Sequence, residues 1–255
     1  MRGRNLKFRL LIGVAIALFF VFKRCSQREE NPYTGRMQTI SMTPDKEIAI
    51  GLQNAPQMAQ QHGGLHPNNQ YQALVDNVGN KLVNNSIARQ TPYKYEFHLL
   101  ADPQTINAFA LPGGQIFITH ALFSKLENED QLAGVLGHEI GHVLGRHSAE
   151  RIAESEYWQG LATAGSVGAD MGGLVSGIGQ QTLLTNGRDD ELESDDLGVL
   201  FMIKAGYNPK EMIGVMEILK DAAGPNRVPE FKSTHPDPDN RIEKIEEAID
   251  KYKNL

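Results

Sequence analysis

The stretch Gly137-His138-Glu139-Ile140-Gly141-His142 decides how the rest of the chain is read. Two histidines four residues apart on a helix stand one turn above each other on the same face. Their imidazoles can then converge on one ion. Zinc takes histidine nitrogens at about 2.0–2.1 Å, prefers four ligands, and keeps one position open to water in catalytic sites. Glu139 follows the first histidine directly, so it can sit beside such an ion without ligating it and accept a proton from water. The surrounding residues are apolar nearly all round: Leu132, Leu136, Ile140 and Val143 mark one side, and Val135, His138 and His142 the other. A helix without a polar face belongs inside a protein, and the pattern predicts one from Glu129 to about Glu154. Paired histidines in such a place are either metal ligands or hydrogen-bonded core residues, and the adjacent glutamate favours the first.

A peptidase site of this kind needs a third protein ligand on another element. His147 lies five residues past His142 and points away from the pair. Downstream, Arg188-Asp189-Asp190-Glu191-Leu192-Glu193-Ser194-Asp195-Asp196-Leu197-Gly198 is acidic and helical in pattern. Glu191 and Asp195 are four apart and share a face, and Gly198 would let another helix approach closely. So dense an acidic run either faces a cation or is a solvated helix start that suits the helix dipole. The residues alone leave both open.

Here a resemblance enters. The chain resembles the zinc peptidase family that includes the heat-shock protease HtpX and the CAAX prenyl protease, gluzincins with a His-Glu-x-x-His helix and a Glu-x-x-x-Asp helix. Those motifs fall on His138, Glu139 and His142, and on Glu191 and Asp195. The resemblance implies one zinc ion per chain held by His138, His142 and Glu191, with Glu139 as general base. It implies that Asp195 orients a ligand histidine through its second ring nitrogen. Asn107-Ala108-Phe109-Ala110-Leu111-Pro112-Gly113-Gly114 resembles the family's edge strand and turn, which makes Asn107, Ala108 and Phe109 candidates for pairing with an extended peptide. The alternative for that stretch is an ordinary inner strand. Thr234-His235-Pro236 followed by Arg241 resembles the family's late His-Pro element. His235 is then a catalytic candidate as an oxyanion donor, or a fourth ligand that keeps the enzyme latent, or a plain helix-entry turn. Asn31-Pro32 to Gly35 and Glu47 to Gly51 resemble the entry to soluble-domain members of bacterial envelopes and mitochondria. Ser194 departs from the family's usual alanine. The several membrane helices of HtpX and the prenyl protease are missing, which argues against a prenylated-peptide substrate.

Outward from this centre, 255 residues with ordinary apolar and charged fractions fit one medium domain with appendages. A net charge of −6 without a basic face argues against nucleic acid. One cysteine, Cys25, allows no internal disulfide. Arg2, Arg4, Lys7 and Arg9 precede an apolar run, Leu10 to Phe22, closed by Lys23 and Arg24. Such a segment reads as a signal anchor or signal peptide, short of the roughly 20 residues of a comfortable span. Large residues Phe20, Val21 and Phe22 disfavour cleavage, although a cleaved, exported form is the alternative. The basic cluster before the run places the catalytic domain on the outer side of the membrane. Residues 1–25 are thus expected as anchor, 26–43 as tether and 44–255 as a zinc metallopeptidase domain. The fold class is α+β and mostly helical, zincin-like, with a small sheet packed on the active-site helix.

Helices are predicted from about Asp45 to Gln61 and around Leu74 to Val83, with strands at Tyr95–Leu99 and Gln115–Thr119 as a hairpin-like pair. Residues 160–179, rich in glycine, read as a mobile lid or loop-rich helical hairpin, Asp170 arguing against a second membrane span. Asp189–Lys204 is helical with Gly206 as its stop, Asn208-Pro209-Lys210-Glu211 starts another helix, and a last helix runs from about Pro238 to Tyr252. The expected activity is cleavage of unfolded or membrane-associated proteins, in envelope quality control. The competing readings are a proteolytically inactive, membrane-tethered chaperone-like module, a small-molecule metallohydrolase, and a metal-stabilised structural protein.

Overall fold

The computed structural model describes residues 2–169, 171–222, 235 and 240–255. In chain order the elements are α1 (Arg2–Ser26), β1 (Arg28–Glu30), β2 (Met37–Thr39), α2 (Pro44–Gln61), α3 (Asn69–Asn84), a 3-10 turn (Ile87–Gln90), β3 (Glu96–Leu100), β4 (Ala108–Ala110), β5 (Gln115–Thr119), α4 (His120–Phe123), α5 (Glu129–Leu144), α6 (His147–Ala169), α7 (Gly172–Ala205), α8 (Glu211–Ala222) and α9 (Arg241–Tyr252). They form two units, one of Thr43–Arg146 with Arg188–Leu255, the other of Met1–Met42 with His147–Gly187. The class is the expected one: mostly helical, with small sheets.

The first of these units is built on α5. Asn128 caps it by accepting the Gln131 N–H, and Glu129 and Asp130 suit the positive end of the helix dipole. Nearly all of its residues are buried, as its all-round apolar pattern requires. It packs against α3, α8 and β4. The sheet order is β3-β5-β4. Every residue of β5 is buried, as befits the central strand. β4 lies at the edge.

The pairing differs from expectation. β3 and β5 run parallel, Glu96 opposite Gln115, and the antiparallel hairpin is β4 with β5. The edge strand expected from the resemblance at Asn107–Ala110 is β4, and the Pro112–Gly114 turn closes it, rather than β3, onto β5. At this turn Gly113 and Gly114 have positive φ, 84° and 112°, and a Cβ on Gly113 would strike the backbone of Ile48 in α2. Glycine is thus required there twice over.

The helix expected to run to about Glu154 instead ends at Leu144. Arg146 adopts φ 58°, the left-handed region that stops an α-helix and costs a non-glycine residue. Its guanidinium is held by Glu47 of α2, with Nε and Nη2 donating to Oε1 at 3.0 and 2.6 Å. The acidic run 189–196 falls inside α7 and is no helix start. Gly206 ends α7 with φ 75°. The last helix begins at Arg241; Pro238, where it was expected to begin, and Thr234, Pro236 and Asp170 lie outside the described residues.

In the other unit, residues 26–43, expected as a tether, include the antiparallel pair β1–β2. The Asn31 side chain accepts the N–H groups of Tyr33 and Thr34 and shapes its turn. Of the segment expected as a mobile lid or loop-rich helical hairpin, residues 160–169 are the end of α6 and residues 172–179 the start of α7. α1 packs along α6. Among the described residues no helix is long and apolar enough to cross a membrane: basic residues interrupt α1 at both ends of its apolar run.

Candidate active site

The site is where α5 and the second half of α7 cross. A Cβ on Gly141 would lie 2.9 Å from both Cα and O of Ser194, and one on Gly137 would lie 3.3 Å from the carbonyl oxygen of Gly198. Small residues on both helices therefore bring backbone against backbone. Glu191, one turn before Ser194 on α7, is carried to the imidazoles of α5.

The result is a cluster of electron-pair donors. His138 Nε2 lies 3.0 Å from His142 Nε2. Glu191 places Oε2 3.2 Å from His138 Nε2 and Oε1 3.3 Å from His142 Nε2. His235 Nδ1 lies 3.1 Å from both Glu191 oxygens and 3.3 Å from His138 Nε2. These four residues form one group able to hold a metal ion. A tetrahedral ion with bonds of about 2.0–2.1 Å sets its ligands about 3.3 Å apart, which matches these separations. The nitrogen and oxygen donor set suits zinc.

Proton positions follow from the partners. His138 Nδ1 donates to Asp195 Oδ1 at 2.8 Å, which leaves the Nε2 lone pair facing the cluster. His235 Nε2 donates to the Ala108 carbonyl at 3.1 Å, which leaves Nδ1 facing it. Lone pairs of His138 and His235 and the Glu191 carboxylate thus face one small volume beside His142 Nε2, an arrangement that calls for a cation. The protons of the metal-free protein feel the same pressure. Although burial opposes it, hydrogen bonds to Asp195 and Glu191 raise the His138 pKa from 6.5 to about 9. Burial would raise Glu191, but His235 and His142 hold it well below the usual carboxylate range.

Asp195 is in turn gripped by Arg241 at the start of α9. Nε donates to Oδ2 at 2.6 Å and Nη2 to Oδ1 at 3.0 Å. Burial would push the Asp195 pKa up; the Arg241 guanidinium and His138 hold it below the usual range. All of these groups are buried, Asp195 at 1% exposure and Arg241 at 4%. A two-pronged guanidinium–carboxylate contact fixes orientation as well as charge.

Glu139 is different in kind. It is fully buried, yet neither carboxylate oxygen has a hydrogen-bond partner. His235 Nε2 lies 3.5 Å from Glu139 Oε1. Burial raises its pKa, partly offset by His235 and His138. A buried carboxylate left unbonded is costly, and beside the donor cluster its oxygens are open to a proton.

The structure thus brings together His138, Glu139, His142, Glu191, Asp195 and His235. It places Ala108 and Phe109 on the edge strand β4 and Asn107 just before it. Asn107 faces inward: its carbonyl accepts the Thr119 N–H at 3.0 Å. The sequence reading left two residue roles unassigned. Arg241 was seen as part of the late His-Pro element without a task. Glu47 and Arg146 anchor the chain one turn past His142, and the Tyr93 hydroxyl donates to Glu47 at 3.3 Å. A buried charge at each of two distant positions was the available signal.

Comparison with known proteins agrees with this geometry. Residues 69–249 match the profile of peptidase family M48. The mitochondrial metalloendopeptidase OMA1 of Schizosaccharomyces pombe is 29% identical over 96% of this chain and 73% of its own length. The beta-barrel assembly-enhancing protease of Yersinia pestis is 32% identical over 83% of this chain, but this chain spans only 45% of that protein. The OMA1 metalloendopeptidase of Saccharomyces cerevisiae is 28% identical over 98% of this chain and 76% of its own length.

Proposed function

The chain belongs to peptidase family M48, and from that premise we propose that it is an endopeptidase using one zinc ion held by His138, His142 and Glu191. Its substrates are unfolded or membrane-associated proteins. α1 tethers it to a membrane with the catalytic unit on the outer side, and its work is protein quality control. The anchor, tether and peptidase segments divide at residues 25 and 43. The observation that carries the reading is the four-donor cluster, whose separations fit the edges of a zinc tetrahedron.

Zinc, when bound, supplies a polarised scissile carbonyl and a more acidic water. The residues do the rest. Glu139, raised in pKa and free of other bonds, accepts a proton from the attacking water and delivers it to the leaving amine. Asp195 holds His138 in the tautomer whose Nε2 can ligate, and Arg241 holds Asp195. The substrate adds as a strand to the open edge of β4. A narrow apolar recess lined in part by Val135, Met212, Val215 and Met216 lies beside Glu139. The test is metal analysis with casein cleavage by the wild type and Glu139→Gln. The variant keeps its zinc and loses turnover by roughly 100- to 10,000-fold. Cleavage insensitive to chelator and to the substitution rejects the proposal.

A second reading concerns latency. His235 Nδ1 stands among the metal donors, and Nε2 occupies the Ala108 carbonyl on the edge strand. One side chain thus fills both the position open to water and an edge group that a substrate strand needs. In His235→Ala activity rises if His235 is a latch and falls if it is an oxyanion donor. Unchanged activity leaves it a helix-entry residue.

A further inference from the structure

The helices of the Met1–Met42 and His147–Gly187 unit share features that its sequence segments do not announce. α1 and α6 run antiparallel. Gly13 meets the backbone of Gly168, and Phe20 covers Gly160. Along α1 the residues turned to α6 are Gly13, Phe20 and Arg24, one helical stripe. Away from that stripe α1 is bare at Leu11, Leu18, Phe19 and Phe22, each more than 60% exposed. α6 and the start of α7 form a second close pair, with Gly179 against Trp158 and Gly165 against Met171 and Gly172. There too the outward residues are apolar, since Met171, Leu174 and Ile178 are about half exposed. They recur three and four apart, a single stripe.

Among the described residues the charged groups of these helices lie toward the ends, while Gln159, Ser176, Gln180 and Gln181 stay exposed between them. At one end of α1, Arg9 Nε donates to the Val167 carbonyl at 3.0 Å and Nη2 to that of Ser166 at 3.4 Å, the open end of α6. At the other, Lys23 pairs with Glu156 and Arg24 with Glu154, both at 2.8 Å. Between Arg9 and Lys23 the helix rises about 21 Å. The Thr163 hydroxyl donates to the Gln159 carbonyl and that of Thr182 to the Ile178 carbonyl, four residues back in each case. Exposed hydroxyls bonded to their own helix are what a solvent without donors or acceptors demands.

We infer that α6 and the start of α7 enter the lipid bilayer together with α1, so that the membrane element is a three-helix unit and the 160–179 segment is its second, re-entrant part. The occupant of the apolar surface is lipid. Cationic groups bound the apolar zone at both ends of α1, where anionic headgroups lie. About 21 Å is short of a bilayer core of roughly 30 Å, and long basic side chains reach the interface from within it. A three-helix unit also offers its own capping groups to helix ends that a lone anchor would leave open. The inference rests on the anchoring read for α1.

The test is cysteine labelling of the full chain in vesicles of phosphatidylethanolamine and phosphatidylglycerol. In a Cys25→Ser background, Leu18→Cys, Leu174→Cys, Ile178→Cys and Lys253→Cys are treated with a membrane-impermeant maleimide. Labelling at positions 174 and 178 is expected to be slower than at 253 by roughly 10-fold or more, as for a thiol shielded by hydrocarbon. All four positions are surface-exposed, so the substitutions leave the packing intact. Protection at 18 with fast labelling at 174 and 178 overturns the inference and spares the anchor. Fast labelling at 18 overturns both. A Gly173→Cys variant, at an exposed position on the same turn of α7, guards against a single misfolded variant and follows 174.

Discussion

Two pairs of helices in this chain touch through glycine and put the contact to opposite uses. Where α5 crosses α7, Gly141 against Ser194 and Gly137 against Gly198 draw together a set of charged and polar groups that are buried except for the half-buried His142. Where α1 lies on α6, Gly13 against Gly168 draws together two apolar surfaces, and the charges sit at the ends. A small-residue contact by itself thus says only that two backbones are close. What the closeness is for depends on where the ionisable groups stand. In the first pair Glu191 and Asp195 have imidazole or guanidinium partners, which is what makes their burial bearable. In the second the ionisable groups lie at the ends, where Glu154 is buried against Arg24.

The largest expected effect that tests this contrast comes from Arg241. In Arg241→Ala, Asp195 loses the two donors that hold it, and with them the group that fixes His138. Loss of such an outer partner typically costs 10- to 100-fold in metal affinity or activity, and about that loss of zinc affinity is expected here. The sign of the pH effect follows. Asp195 is depressed in the folded protein by Arg241 and His138, so its contribution is present above its unfolded value and disappears as pH falls through its folded one. Without Arg241 that loss comes at higher pH. Acid titration of bound zinc should therefore show release at a higher pH in the variant than in the wild type. Arg241→Lys restores charge but not the fork, and should recover only part of the affinity. Equal release curves would show that Asp195 needs no such support.

A smaller effect is expected at the crossing itself. In Gly141→Ala the new methyl meets Ser194 backbone atoms at 2.9 Å, which cannot be relieved by a rotamer change. Forcing an extra carbon into a packed contact costs about 1–3 kcal/mol, and here it also moves Glu191 away from the imidazoles. A lowered Tm with weakened zinc binding is expected. Gly137→Ala, with 3.3 Å to Gly198, should cost less. If both variants bind zinc as well as the wild type, the glycine contact does not set the ligand geometry.

These residues also mark how much was legible beforehand. The histidine pair and Glu139 could be read because a single helix carries them, and helical period fixes their mutual placement. Glu191 and Asp195 could be read as sharing a face, but their distance from α5 is a tertiary fact, supplied only by resemblance. The parallel β3–β5 pairing escaped because alternation marks a strand but not its partner or direction, and the three-residue edge strand Ala108–Ala110, expected only from resemblance, takes the hairpin place beside β5. The break at Arg146 escaped because its cause, Glu47, is about a hundred positions away in the chain. The 160–179 segment misled because glycine was taken as a sign of looseness, whereas several of these glycines are packing surfaces.

The smallest effect separates packing glycines from idle ones within that segment. Gly177 lies inside α7, and a Cβ there would meet nothing within 4 Å; Gly173 is alike. Alanine in a helix interior is favoured over glycine by about 0.5–1 kcal/mol, because glycine loses more backbone freedom on folding. Gly177→Ala should thus raise thermal stability slightly and leave zinc binding and cleavage untouched. Gly179→Ala, whose methyl would run into the Trp158 ring at 2.7 Å, should lower it. Should both substitutions stabilise, the α6–α7 contact is absent in solution, and glycine there reflects flexibility after all. Should both destabilise, a surface beyond the described residues covers Gly177, and the outward face of α7 is not bare.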